Sequence, residues 1–241
     1  MITYVQLKEK PKEFLTATGL RVDEFQRLLP VFKDKLAVLH PPDKTKRGEP
    51  RQRRAGAGPK GKLQSDEDKL LFILTYQKTY PLQTMLGLQF GISQPQANYW
   101  IHLLLPVLRQ ALAAMGLTPE RNPEAVAESP LVAETVPDFL IDGTERRRQR
   151  PKDTQKQAEH YSGKKKTHTD KNILLVSNYT KKVLYLSPTV AGKTHDKKLV
   201  DENPITYPNG ATLGKDTGFQ GYEPKGVITF QPKKTERPRV E

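Results

Sequence analysis

The sequence predicts an α+β protein, with an all-α amino-terminal part followed by a mixed strand-and-helix part. Three observations carry this. Apolar residues recur at three- and four-residue spacing from Val22 to Phe32 and again from Leu70 to Leu108, the signature of helices with one buried face. Two short strand-like runs, the apolar Phe139-Leu140-Ile141 and Ala211-Thr212-Leu213, lead to Asp142-Gly143 and to Asp216-Thr217-Gly218. Between the two regions Pro119, Pro123, Pro130 and Pro137 interrupt the chain, so residues 116–137 are expected to be an interdomain linker with one short helical turn.

Residues 1–39 are read as an amino-terminal helical segment. Its helix, over about 20–39, carries Val22, Phe25, Leu28, Leu29 and Phe32 on one stripe. Asp23 and Glu24 suit its positive end. Residues 40–64 read as a basic linker. Pro41-Pro42 breaks the helix, and Lys44, Lys46, Arg47, Arg51, Arg53, Arg54, Lys60 and Lys62 follow, with Gly56, Gly58 and Gly61 among them. Such a stretch is either a solvated connector or an arm that follows phosphates. Arg53 and Arg54 are its candidate DNA contacts.

Residues 65–115 predict three helices. Ser65 is placed to cap the first, with Asp68 three residues on and Leu70, Leu71, Ile73 and Leu74 inward. Pro81 is expected in the first turn of the second, which carries Leu82, Met85, Leu86 and Phe90. Gly91-Ile92-Ser93 makes a tight turn, and Ser93 caps a third helix with Ala97, Ile101, Leu104 and Leu108 inward. Pro106 must kink or end that helix. Helix, glycine-containing turn and helix is the arrangement of a helix-turn-helix. The first residues of the second helix of that motif read base edges. Here these are Gln94, Gln96 and Asn98, amides that can pair with adenine. His102 and Arg109 suit phosphates. A plain helical bundle with a polar face is the alternative.

The second domain is expected over 138–241. A first strand ends at Asp142, with Gly143 turning the chain. A basic block follows: Arg146, Arg147, Arg148, Arg150, Lys152, Lys156, Lys164, Lys165 and Lys166, against Asp153 and Glu159. Residues 172–177 and 182–187 predict an antiparallel hairpin around Asn178-Tyr179-Thr180-Lys181. A short helix opens at Thr194-His195-Asp196, a strand leads to Asp216, and Val227-Ile228-Thr229-Phe230 forms the last strand. Two aspartates at the ends of neighbouring strands can hold a hard divalent cation. A lone Asp before Gly is otherwise a turn residue.

Composition bounds the function. The 241 residues are 35% hydrophobic, below the usual range for a compact globule, so part of the chain is expected to be extended. A net charge of +13 points to a polyanion. Nucleic acid fits better than a membrane, because no long apolar run is present. The absence of cysteine excludes disulfides and thiolate metal sites. Met1-Ile2-Thr3-Tyr4 lacks the pattern of a signal peptide, so a cytoplasmic, nucleoid-associated protein is the expectation.

The strand and helix order resembles the RNase H-like fold of polynucleotidyl transferases. In detail the chain is similar to insertion-sequence transposases of the DDE superfamily that carry a helix-turn-helix. The residues bearing this resemblance are Asp68-Lys69-Leu70-Leu71-Phe72-Ile73-Leu74, Lys78-Thr79-Tyr80-Pro81 and Phe90-Gly91-Ile92-Ser93-Gln94 in the first domain. In the second they are Asp142-Gly143-Thr144-Glu145, Arg150-Pro151, the stretch Tyr161 to Thr169, Gly192 with His195-Asp196-Lys197, and Asp216 to Gly221.

The resemblance implies DNA endonuclease and strand-transfer activity at element ends, with Asp142 and Asp216 as the first two catalytic acids. It implies two Mg²⁺ or Mn²⁺ ions about 4 Å apart. Asp142 would bridge both and Asp216 would hold one. Water would first free a 3′ hydroxyl, which then attacks target DNA. The partners implied are double-stranded DNA, as terminal repeats and target, with a homodimer left open. Lys164, Lys165 and Lys166 are expected on the DNA backbone. His195 and Asp196 are secondary site candidates, with helix capping by Asp196 as the plain alternative. The family's third acid is a Glu on a helix after the last strand. Glu236 and Glu241 lie instead in a Pro- and Lys-rich tail, so a carboxy-terminally incomplete domain with severely lowered cleavage is expected. A DNA-binding remnant acting as repressor or decoy is the competing class.

Overall fold

The computed structural model describes residues 1–44, 49–51 and 61–232. The chain forms two compact units, Met1–Leu117 and one that begins at Thr118. Helices come first and a mixed sheet follows, so the α+β class is as expected. The basic-linker residues Lys46, Arg47, Arg53, Arg54 and Lys60 lie outside the described residues, as do Glu236 and Glu241.

The first unit holds helices α1 (Tyr4–Leu7), α2 (Pro11–Thr18), α3 (Val22–Leu39), α4 (Asp66–Thr79), α5 (Gln83–Phe90) and α6 (Gln94–Ala114). The expected α3 stripe buries Phe25, Leu28 and Phe32, with Val22 and Leu29 partly covered beside them. α1 and α2 lie beyond the one helix expected in this segment. Phe14 of α2 meets Phe25 edge-on at 5.3 Å between ring centroids, adding an aromatic contact to the core. Ser65 Oγ accepts a 3.0 Å bond from the Asp68 amide, the cap its spacing predicts. Asp68 Oδ1 in turn accepts from the Tyr4 amide at 2.8 Å, which fastens α1 to the start of α4.

Two helix details differ from expectation, and a third shows that Pro106 does not end its helix. Pro81 stands outside α5, because Leu82 takes the cap position. Leu82 and Met85 are exposed, and α5 packs only through Leu86, Gly87 and Phe90. α6 continues through Pro106 to Ala114. The turn itself is as expected: Gly91 closes α5 in the left-handed region at φ 66°, where a side chain would be strained.

Residues 116–137 hold more helix than the one short turn expected of a linker. They contain a 3₁₀ turn at Pro123–Glu128 and helix α7 at Pro130–Ala133. Val126, Leu131 and Val132 from this stretch are buried in the core of the second unit. Two of the four prolines here start helices and do not break them. Pro123 and Pro130 occupy the first turns of these short helices, where a missing N–H costs nothing.

The second unit contains β1 (Asp138–Arg147), α8 (Thr154–His160), β2 (Tyr161–Ser162), β3 (Thr167–Ser177), β4 (Val183–Leu186), β5 (Val190–Ala191), α9 (Asp196–Glu202), β6 (Thr212–Lys215) and β7 (Ile228–Phe230). The sheet order is β2-β3-β1-β6-β7, and β4 and β5 also pair with β3. β1 runs antiparallel to β3 and parallel to β6, and β6 runs parallel to β7.

β1 does not end at Asp142. It continues through Gly143, which pairs with Ile173, as far as Arg147. Gly143 is thus a mid-strand glycine, and a mid-strand glycine often marks a close approach by another group. Here the approaching group is the Asp196 carboxylate, at the start of α9.

Candidate active site

Asp142 and Asp216 come from neighbouring strands in the middle of the sheet. The last registered pair between the parallel strands β1 and β6 is Ile141 with Lys215. Each aspartate is the next residue along its strand path. Ile141 and Lys215 are both buried, and side chains alternate along a strand, so Asp142 and Asp216 share the opposite, exposed face.

That face is a groove lined by Leu140, Asp142, Gly214, Asp216, Phe230 and Gln231. Gly214 keeps its floor low: a Cβ there would stand 2.7 Å from Leu140 Cδ2. Leu140 and Phe230 remain exposed, so the groove sets two carboxylates beside hydrocarbon.

Each carboxylate is oriented by the backbone of a glycine. Asp142 Oδ1 accepts from the Gly143 amide at 2.8 Å, and Asp216 Oδ1 accepts from the Gly218 amide at 2.9 Å. The second oxygen of each accepts no hydrogen bond among the described residues. Gln231 Nε2 donates to the Asp216 carbonyl at 2.6 Å, holding the turn from outside. Asp216 also caps the 3₁₀ turn Thr217–Phe219, so turn residue and groove residue are one and the same here.

Hard oxygen donors with free lone pairs, paired across two strands and open to a groove, fit Mg²⁺. That ion takes one or two carboxylates and leaves its other positions to water and phosphate oxygens. Among the described residues no group of three or more His, Asp or Glu side chains forms a metal cage.

Behind the pair lies a charge network of which the sequence pattern singles out only Asp196. Lys171 Nζ, on β3, is 3.6 Å from Glu145 Oε1, 3.0 Å from Asp196 Oδ1 and 2.8 Å from the Thr194 carbonyl. Lys171 and Glu145 are both nearly covered, their side chains 8% exposed. Burial alone would raise the Glu145 carboxyl above its ordinary range. Hydrogen bonds from Ser162 and Thr169 and the Lys171 charge outweigh it, and the group is held below that range.

Asp196 is not a helix cap. His195 takes the cap position of α9 without a side-chain bond, and Asp196 turns inward to Lys171. His195 stays exposed beside Lys197, Lys198 and Gln220. Glu145 and Lys171 escape a reading that ends the first strand at Asp142. Their opposition across β1 and β3 follows only from the full register.

The cations behave unequally. Arg146 donates to Asn172 at 2.8 Å, Arg148 to Asp170 at 2.9 Å and Arg150 to Gln157 at 2.8 Å, so these guanidiniums already serve the fold. Lys164, Lys165 and Lys166 project from the β2–β3 turn, exposed and without an ion pair among the described residues. Lys215 is fully buried, with its ammonium on the Tyr222 carbonyl and the Glu223 carboxylate, and it does not reach the groove as a free charge.

In the first unit the three amides expected to read bases differ as well. Ser93 and Gln96 form a capping box, with the Ser93 amide on Gln96 Oε1 at 3.1 Å. Gln94 Nε2 donates to Gln83 Oε1 at 2.6 Å. Asn98 makes no side-chain hydrogen bond among the described residues.

Comparison with known families agrees with both units. Residues 61–114 match the family model described as the helix-turn-helix of DDE superfamily endonuclease. Residues 141–240 match the model described as DDE superfamily endonuclease. The chain belongs to the DDE superfamily of transposases and endonucleases and carries the helix-turn-helix domain of that group. No curated protein matches it. No helix among the described residues is long and apolar enough to cross a membrane.

Proposed function

We propose that the chain is a DNA transposase of an insertion sequence, a metal-dependent endonuclease whose working carboxylates are Asp142 and Asp216. One observation supports this reading above others. The two aspartates follow the terminal register pair of two parallel strands and face one groove, each with one oxygen unengaged.

Mg²⁺ or Mn²⁺ bound there would supply charge for the attacking and leaving oxygens of a phosphodiester displacement. The chain's own residues have separate tasks. The Gly143 and Gly218 amides fix the rotamers of the two carboxylates. Lys164, Lys165 and Lys166 draw in the DNA backbone by charge. α6 enters the major groove of double-stranded DNA by its amino-terminal end, where Asn98 offers a free amide to a base edge.

The test is nicking of supercoiled plasmid by the full chain with Mg²⁺ or Mn²⁺. Nicking that disappears in Asp142→Ala and in Asp216→Ala supports the proposal. Nicking that survives both changes overturns the assignment.

A second reading, DNA occupancy without cleavage, is favoured by one contact. A further carboxylate, Asp196, lies against the Gly143 and Gly218 backbone and is held by Lys171. Salt-dependent duplex binding with no metal-dependent nicking would select it.

A further inference from the structure

Asp196 lies against the backbone of both glycines that orient the groove carboxylates. A Cβ at Gly143 would stand 2.5 Å from Asp196 Oδ1, and one at Gly218 would stand 3.0 Å from Asp196 Oδ2. That second position is also 3.0 Å from Asp216 Oδ1. No side chain larger than hydrogen fits at Gly143 while Asp196 stays where it is. The amides of these same two glycines donate to Asp142 and Asp216. One carboxylate is therefore wedged between the two backbone segments that aim the other two.

The wedge is itself fixed. Lys171 anchors Asp196 to β3, and Glu145 holds Lys171 from β1. Thr169 Oγ1 donates to Glu145 Oε2 at 3.0 Å, so this series of interactions ends on covered groups of the sheet. The Lys171 ammonium also offsets the repulsion of a third negative charge near Asp142 and Asp216.

We propose that Asp196 is a positioning residue. Pinned by Lys171 and Glu145, it sets the spacing of Asp142 and Asp216 by bearing on Gly143 and Gly218, and it is not itself a metal ligand. This rests on the metal-dependent reading of the groove for its functional meaning. The geometric part can be tested without metal.

The experiment uses the full chain labelled with ¹⁵N, without metal, as wild type, Asp196→Ala and Asp196→Asn. In Asp196→Ala the amide signals of Gly143 and Gly218 are expected to move, while those of Gly210 and Gly226 stay in place. Asp196→Asn keeps the bulk of the wedge and is expected to move them less. If neither glycine signal moves in Asp196→Ala, the inference is overturned.

Mn²⁺ titration of the same proteins reads the consequence. Asp196→Ala is expected to weaken binding about 10- to 100-fold, the range for groups that orient a ligand without touching the ion. In an Asp142→Ala/Asp216→Ala background the same change is expected to have no further effect. Residual binding there that depends on Asp196 would make it a ligand and overturn the positioning role. If the Asp196 change moves the glycine signals but Asp142→Ala leaves Mn²⁺ binding intact, the metal reading fails while the wedge stands.

Discussion

Thr212 and Asp138 are register partners across the parallel strands β1 and β6, and the Thr212 hydroxyl donates to Asp138 Oδ1 at 2.7 Å. Asn178 donates to the other carboxylate oxygen at 2.7 Å from the hairpin beyond β3. One side chain thus ties together the strand path that carries Asp142, the path that carries Asp216 and the hairpin. A parallel pair has no tight turn to set its register, so a side-chain clamp at its start matters more than it would in a hairpin.

Replacing Asp138 with Ala leaves the Thr212 and Asn178 donors without their partner. The expected cost is about 1–3 kcal/mol, the usual penalty for orphaning partly covered polar groups. Denaturant unfolding of the full chain checks it, followed by a probe in the second unit. An unchanged midpoint would show that the clamp carries no weight.

The same residue gives a pH dependence. The Thr212 hydroxyl, and after it the Asn178 amide, hold the Asp138 carboxyl below its ordinary value of 3.8, against a smaller push upward from burial. A group depressed on folding binds fewer protons in the native state, so its stabilisation is present above pH 3.8 and is lost as pH falls through the lower folded value. Asp138→Asn should flatten the loss of stability below about pH 4 relative to wild type, read from thermal unfolding across an acid series.

The buried pair of Glu145 and Lys171 should respond asymmetrically. Lys171→Met leaves Glu145 and Asp196 both short of their cation, and a loss of about 3–5 kcal/mol is expected. Glu145→Gln leaves Lys171 with Asp196 and should cost less. The double change should cost less than the sum of the two single changes. A double-mutant cycle in urea measures the coupling, and simple additivity would contradict the ion pair.

Two neighbouring amides on α6 should separate by effect. Gln96→Ala breaks the capping box with Ser93 and should act on stability, by about 1 kcal/mol. Asn98→Ala should leave stability nearly unchanged and lower affinity for a preferred duplex by about 1–3 kcal/mol. Thermal melts beside fluorescence-anisotropy titrations distinguish these effects. An equal loss of DNA affinity in both variants would mean that the capping amide also reaches the bases.

Charge reversal at the β2–β3 turn should be read against salt. Changing Lys164, Lys165 and Lys166 to Glu should weaken binding to every duplex alike. The slope of log affinity against log salt should fall by about one for each phosphate that is no longer neutralised. If the slope is unchanged, this turn does not touch the DNA backbone.

Much of this architecture is legible because local signals are strong. Ser65, Gly91 and Ser93 announce helix ends by chemistry that depends on nearest neighbours, and the structure places caps or turns at each. The runs before Asp142 and Asp216 read as strands, and both are strands. What is not legible depends on distant partners. Gly143 looks like a turn until the Asp196 carboxylate, from α9, is found occupying its missing side chain's space. Pro123 and Pro130 look like breaks until Val126 and Leu131 are seen to bury themselves in the same core as Phe139. Lys171 belongs to no sequence pattern, and only the β1–β3 register shows that it faces Glu145.

Leu140 and Phe230, 41% and 60% exposed, stand in the same groove as Asp142 and Asp216. Left open, that hydrocarbon is wetted, and the surrounding solvent damps the field of the two anions. Anything that settles on these side chains drives off the damping layer and raises the local strength of every charge beneath it. The groove is in that sense an amplifier: its electrostatics are weakest when vacant and strongest at the moment it is sealed.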